Sequence, residues 1–138
     1  MSKLSIILAL VAATMVGCGQ GYVKQTERFA AQIKSTVNAE ELQAWATNLI
    51  AKTPLKNGDT SVNPKATGIP KGLLGLSNQE PDVWVSRNGG DVNIVVGYGN
   101  GDLGHLGLYV GNKSFKVESD QQIYVVPWQP GIYFWHEL

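Results

Sequence analysis

The chain has little of the residue types that catalysis and metal binding use most. Its 138 residues include one cysteine, Cys18, and two histidines, His105 and His136. A single cysteine excludes an intramolecular disulfide. The histidines lie far apart, without the i, i+2 or i, i+4 spacing of a zinc-binding pair, so no metal site is expected. Charge of one sign is lacking as well: 11 Lys+Arg balance 11 Asp+Glu, and no basic cluster occurs. A nucleic-acid-binding surface usually supplies roughly six to ten phosphate contacts, and nothing here provides that footprint. Long apolar runs are also absent. The longest, Leu4 to Val16, is broken by Ser5 and Thr14. It falls short of the roughly 20 residues that span a bilayer as a helix. No repeat recurs at a period of 20–50 residues, which argues against a solenoid or propeller. The length suits one domain, and low net charge with many aromatics is the reverse of a disordered composition.

What is present begins with an export signal. Lys3 supplies a positive start, and the apolar run has the length of a signal-peptide core. The segment that follows, Met15-Val16-Gly17-Cys18, resembles the lipobox of bacterial lipoproteins, although Met15 stands where leucine is usual. The resemblance implies a signal peptide over 1–17, lipid attachment at Cys18 and a tether over 18–25; the length and patterning of the rest suit a single domain over 26–138. It also implies a place in the cell envelope, with the membrane as partner through the acyl chains. One acyl chain holds a protein only marginally, whereas the three expected on such a cysteine hold it stably. Gly19 resembles the sorting pattern that directs these proteins to the outer membrane, facing the periplasm. An ordinary secretory signal and a retained anchor are the alternatives.

The mature chain reads as helices followed by strands. Phe29, Ala30, Ile33 and Val37 recur at helical spacing, and so do Leu42, Trp45, Ala46, Leu49 and Ile50. Asn38 with Glu41 resembles a capping box, and Pro54 ends the second stripe. One bent helix or two helices satisfy the pattern equally. Residues 53–81 read as a loop-rich stretch in which Leu73, Leu74 and Leu76 tuck under the core, either as a lid over a sheet edge or as a functional loop. Strands are expected at Val83–Val85, Val92–Val96, Leu106–Val110, Phe115–Val117, Ile123–Val126 and Ile132–Trp135. The connections between them are too short for crossover helices. The fold class is therefore α+β, with one or two N-terminal helices packed on a single antiparallel meander sheet of about five strands. Alternation places Leu106, Leu108 and Val110 inward and Tyr109 outward, with Tyr133 and Trp135 outward beside inward Ile132 and Phe134. Trp84, Phe134 and Trp45 are expected in the core.

Four constellations bear on chemistry. The run Gly104-His105-Leu106-Gly107-Leu108-Tyr109-Val110-Gly111-Asn112 is similar to the histidine strand of the NlpC/P60 cysteine peptidases. That resemblance implies a base at His105, yet the thiol it would activate is missing. Ser86, Ser114 and Ser119 are hydroxyls without a nucleophile-elbow context. The glycines from Gly97 to Gly104 lead into a strand rather than a helix, so they do not form a phosphate cradle. Asn100 and Asp102 lack the distal glutamate of a calcium loop. The aromatic set is the most informative: Tyr98, Tyr109, Trp128, Tyr133 and Trp135 are the candidate binding residues. The expectation is a small lipid-anchored envelope protein, non-catalytic, without a cofactor, that binds an envelope protein or glycan or serves a structural role. The alternative is a cell-wall or peptide hydrolase, or a degenerate relative, that uses His105.

Overall fold

The computed structural model describes residues 21–54, 56–76, 80–99 and 105–138. Cys18 with the export segment, and the stretch from Asn100 to Gly104, lie outside the described residues. Helix α1 covers 21–36 and buries Thr26, Phe29, Ala30 and Ile33 along one stripe. Residues 21–25, expected as tether, are part of this helix. Tyr22 meets Tyr124 edge-on with ring centroids 5.1 Å apart, and Gln25 Oε1 lies 2.9 Å from His136 Nε2. The stripe loses phase at Asn38, which caps a second helix, α2 (Ala39–Lys52), by accepting from the Glu40 and Glu41 amides. Thr53 closes that helix with its amide and hydroxyl on the Leu49 carbonyl.

The sheet has six strands: β1 (Gly58–Val62), β2 (Asp82–Asn88), β3 (Asp91–Tyr98), β4 (Leu106–Gly111), β5 (Ile123–Gln129) and β6 (Ile132–Glu137). All pair antiparallel in the order β1-β2-β3-β4-β6-β5. The α+β class and the antiparallel sheet agree with expectation, but three details differ. A sixth strand, β1, lies inside the stretch read as a loop. Its sequence, Gly-Asp-Thr-Ser-Val, is largely exposed and shows no hydrophobic alternation of its own; pairing with β2 makes it a strand. Phe115–Val117 is not a strand. It belongs to the connection between β4 and β5, which is long enough to pass over a strand position. That length lets β6 sit between β4 and β5, so the last three strands are not a simple meander.

Between β1 and β2 the chain forms a 3-10 turn (Pro64–Ala66) and a one-turn helix, α3 (Lys71–Leu74). Ile69, Leu73 and Leu76 enter the core from it. Trp45 Nε1 donates to Thr67 Oγ1, and Lys65 pairs with Glu80 at 2.6 Å, which ties the segment to α2 and to the start of β2. The hydrogen bond and charge of Glu80 hold the Lys65 ammonium above its usual range.

Period-two alternation divides the sheet into two faces. Val83, Val85, Ile94, Val96, Leu108, Val110, Ile132 and Phe134 point toward the helices and are almost wholly buried. Phe29, Ile33, Leu42, Trp45 and Leu49 from α1 and α2 complete that core. The intervening residues face away from the helices, and the candidate site is built there.

Candidate functional site: a hollow on the open face of the sheet

The register brings residues remote in sequence to neighbouring positions on the open face. Asp82 is level with Gly97, Gly107, Trp135 and Val125, and Trp84 with Val95, Tyr109 and Tyr133. Gly97 and Gly107 stand side by side on β3 and β4, leaving a strip of bare backbone. Two indoles occupy it. A Cβ at Gly97 would lie 3.3 Å from Trp84 Cη2 and 3.6 Å from Trp135 Cζ2. A Cβ at Gly107 would overlap the Val96 carbonyl oxygen and lie 2.8 Å from Trp135 Cζ2. Gly107 is therefore needed for close approach of ring to backbone, whereas at Gly97 an added methyl would only press on the rim of Trp84. Tyr109 then stacks over Trp135, with centroids 5.7 Å apart and ring planes 25° from parallel. Beneath it Trp135 retains only 7% of its surface, and its indole N–H has no hydrogen-bond partner among the described residues.

These rings floor a hollow of about 520 Å³, within the usual range of small-ligand sites. Asp59, Asp82, Ser86, Gln122, His105 and Glu137 supply its polar lining, and among the described residues no lysine or arginine lines it. At one end His105 Nδ1 donates to Glu137 Oε2 at 2.9 Å, both side chains about half exposed. Burial raises the Tyr109 phenol above its ordinary value, and the carboxylates of Asp120 and Glu137 raise it further. The site thus carries negative potential as well as aromatic surface.

The other end of the open face is covered. The chain after β4 turns at Asn112 and lays Phe115 over Gly111. Phe115 also meets Tyr133 edge-on at 5.9 Å, and the Tyr133 hydroxyl donates to the Phe115 carbonyl at 2.9 Å.

The five aromatics expected to bind therefore divide. Tyr109 and Trp135 lie together in the hollow. Tyr133 shares their face but is held under the β4–β5 connection. Tyr98 turns its side chain to the helix side, where its hydroxyl donates to the Leu73 carbonyl at 2.6 Å and its ring meets Phe29. Burial pushes its phenol well up. Trp128 also belongs to the helix side, stacked on Phe134 with centroids 5.5 Å apart. Trp84, expected in the core, stands half-buried on the open face. The alternation Val83-Trp84-Val85 carries that signal, since two inward valines require the residue between them to point outward. Asp59 and Asp82 had no signal of their own, because only the folded register brings them to the same hollow.

The hydrolytic constellation is incomplete among the described residues. Ser86 is level with Asn93 and Gly111, six residues along β4 from His105. At about 3.3 Å per residue the two are separated by roughly 20 Å along the strands. Ser114 Oγ donates to Asn112 Oδ1, and Ser119 Oγ is bonded to the Val125 backbone. His136 lies on the opposite face from His105, buried, with Nδ1 donating to the Glu137 carbonyl at 2.7 Å. Among the described residues no group of three or more His, Cys, Asp or Glu converges as metal ligands, and no helix is long and apolar enough to cross a membrane.

No family model, curated protein or solved structure matches the chain.

Proposed function

We propose that this protein is a lipoprotein of the bacterial cell envelope, anchored by acyl chains on Cys18 in the outer membrane and facing the periplasm. Its α+β domain is a non-catalytic binding module. The ligand is an envelope component, a glycan or a protein group, that enters the hollow over Trp84, Tyr109 and Trp135. The observation that carries this reading is the hollow itself: one half of the open face is covered by Phe115, while the other presents a concave aromatic floor with polar walls. Aromatic rings beside fixed polar groups are the usual composition of a small-ligand site.

Anchoring and binding are tested separately. Cys18→Ser should release the chain from the membrane pellet and remove the lipid mass; a variant that still pellets overturns the anchor. For the binding module, the detergent-solubilised full chain is heated with soluble cell-wall fragments. A raised melting temperature that Tyr109→Ala abolishes is the expected result, and no shift with any fragment counts against it.

The His105–Glu137 pair at 2.9 Å favours a second reading, hydrolysis of cell wall or peptide with His105 as base. A carboxylate that orients an imidazole is half of a nucleophile-activating arrangement. Cell-wall turnover by the wild-type chain, lost in His105→Ala, would replace the binding reading with this one.

A further inference from the structure

We infer that the hollow takes an elongated aliphatic oligoamine, bound through its ammonium groups; this rests on the hollow being a ligand site, as proposed above, and goes beyond that reading in naming a cationic ligand instead of a glycan or protein group. The first ground is charge. Asp59, Asp82 and Glu137 line the hollow, and among the described residues no lysine or arginine does. His105 also lines the hollow, and it is already engaged with Glu137. Asp120 adds its negative charge near the Tyr109 phenol. Among the described residues neither Asp59 nor Asp82 forms an ion pair, so a cationic ligand gains an attraction at both that an uncharged sugar does not, and an anion would be repelled.

The second ground is spacing. Asp82 on β2 and Glu137 on β6 are separated by three strand steps, about 14 Å at roughly 4.8 Å per step. One ammonium cannot serve both ends. Among the described residues the carboxylates also do not converge as metal ligands, so a single divalent ion does not match them. A chain with cationic groups at intervals does. Between the ends stand Trp84 and Tyr109, whose ring faces attract a cation within about 6 Å of their centroids. Trp135 lies mostly beneath Tyr109. The exposed aromatic surface is therefore two separate rings rather than one platform for a row of sugars. The methylene segments of an oligoamine suit the apolar floor between the charges.

Isothermal titration of the detergent-solubilised full chain with spermine, putrescine, cellohexaose and magnesium chloride tests this. Spermine should bind at least about tenfold more tightly than putrescine, because only the longer cation reaches both ends. Its affinity should fall as salt rises. Asp82→Asn combined with Glu137→Gln should weaken spermine about tenfold or more. Trp84→Leu should weaken it about threefold through loss of the cation–π contact. Equal affinity for spermine and putrescine, or equal loss of spermine to magnesium at matched charge, would reduce the hollow to diffuse acidity and overturn the inference. Heat from cellohexaose without heat from spermine would overturn it and leave the binding module standing. Silence from all four overturns the oligoamine, and the wall-fragment melting assay then decides whether the binding reading falls with it.

Discussion

The two faces of one sheet are made of the same strands and do opposite work. Toward the helices, Ile94, Val96, Leu108, Val110, Ile132 and Phe134 are each fully buried and apolar. Away from them, the neighbouring positions hold Trp84, Gly97, Gly107, Tyr109 and Trp135, with Asp82 and Glu137 at the edges of the same surface. The first face is filled by branched side chains that interlock with a second layer. On the second, glycines leave room for large rings to come close to the backbone, and acids line the space above them. Stability belongs to the covered face, and the chemistry available to a ligand belongs to the uncovered one.

The sharpest way to break that division is to truncate one aromatic on each face. Phe134 lies between Phe29 and Trp128, with centroids 6.0 and 5.5 Å away, and Lys34 Nζ approaches its ring. Phe134→Ala should cost about 3–5 kcal/mol, because the helices cannot collapse into the cavity. Trp84→Ala removes a larger side chain and should cost clearly less, since water occupies the space it leaves. Urea midpoints of the two variants measure the contrast. Equal losses would show that the open face is a second core, and the hollow would lose its standing as a site.

Much of this division was legible in the sequence, in proportion to how local its causes are. The second helix is announced by its apolar stripe and by Asn38, and both depend on residues within one or two turns. The inward set from Leu106 to Val110 and at Ile132 and Phe134 follows from alternation alone. Strand β1 was hidden because its partner makes it a strand. Phe115–Val117 has strand composition but is spent covering Gly111 and Tyr133. The site was half legible. Tyr109 and Trp135 show their face by period two, whereas Asp82 and Glu137 come to the two ends of one hollow only through a register running across four strands.

A second contrast, smaller in size, lies within the strip of bare backbone. Both Gly97 and Gly107 admit an indole, but they differ in what a methyl group would strike. At Gly107 it overlaps a backbone carbonyl oxygen that cannot rotate away, and at Gly97 it only touches the rim of Trp84. Gly107→Ala should therefore destabilise by about 1–3 kcal/mol, in the range of an overpacked interior. Gly97→Ala should be close to neutral. Thermal melts of the pair decide the matter, and near-UV circular dichroism should report a changed Trp135 environment in Gly107→Ala alone. Equal behaviour would mean that ring placement does not depend on the missing side chain.

The smallest effect separates the faces by pH. Tyr98 on the helix side and Tyr109 in the hollow both hold their phenols above the ordinary value of 10.0, Tyr98 by the larger margin. A raised phenol means that the folded chain keeps a proton the unfolded chain has released. The contribution is whole below about pH 10 and is lost as pH rises from there through the folded value. Tyr98→Phe should lower stability at pH 7 by about 1 kcal/mol, since the Leu73 carbonyl loses its donor. The same change should flatten the decline between pH 10 and 11. Tyr109→Phe breaks no hydrogen bond named in the fold, and it should leave pH 7 stability nearly unchanged and flatten the alkaline decline less. Its phenol is also raised partly by Asp120 and Glu137, so salt should shrink the Tyr109 effect and spare that of Tyr98, where burial alone is the cause. Salt sensitivity at both tyrosines, or at neither, would contradict the assignment of negative potential to the open face.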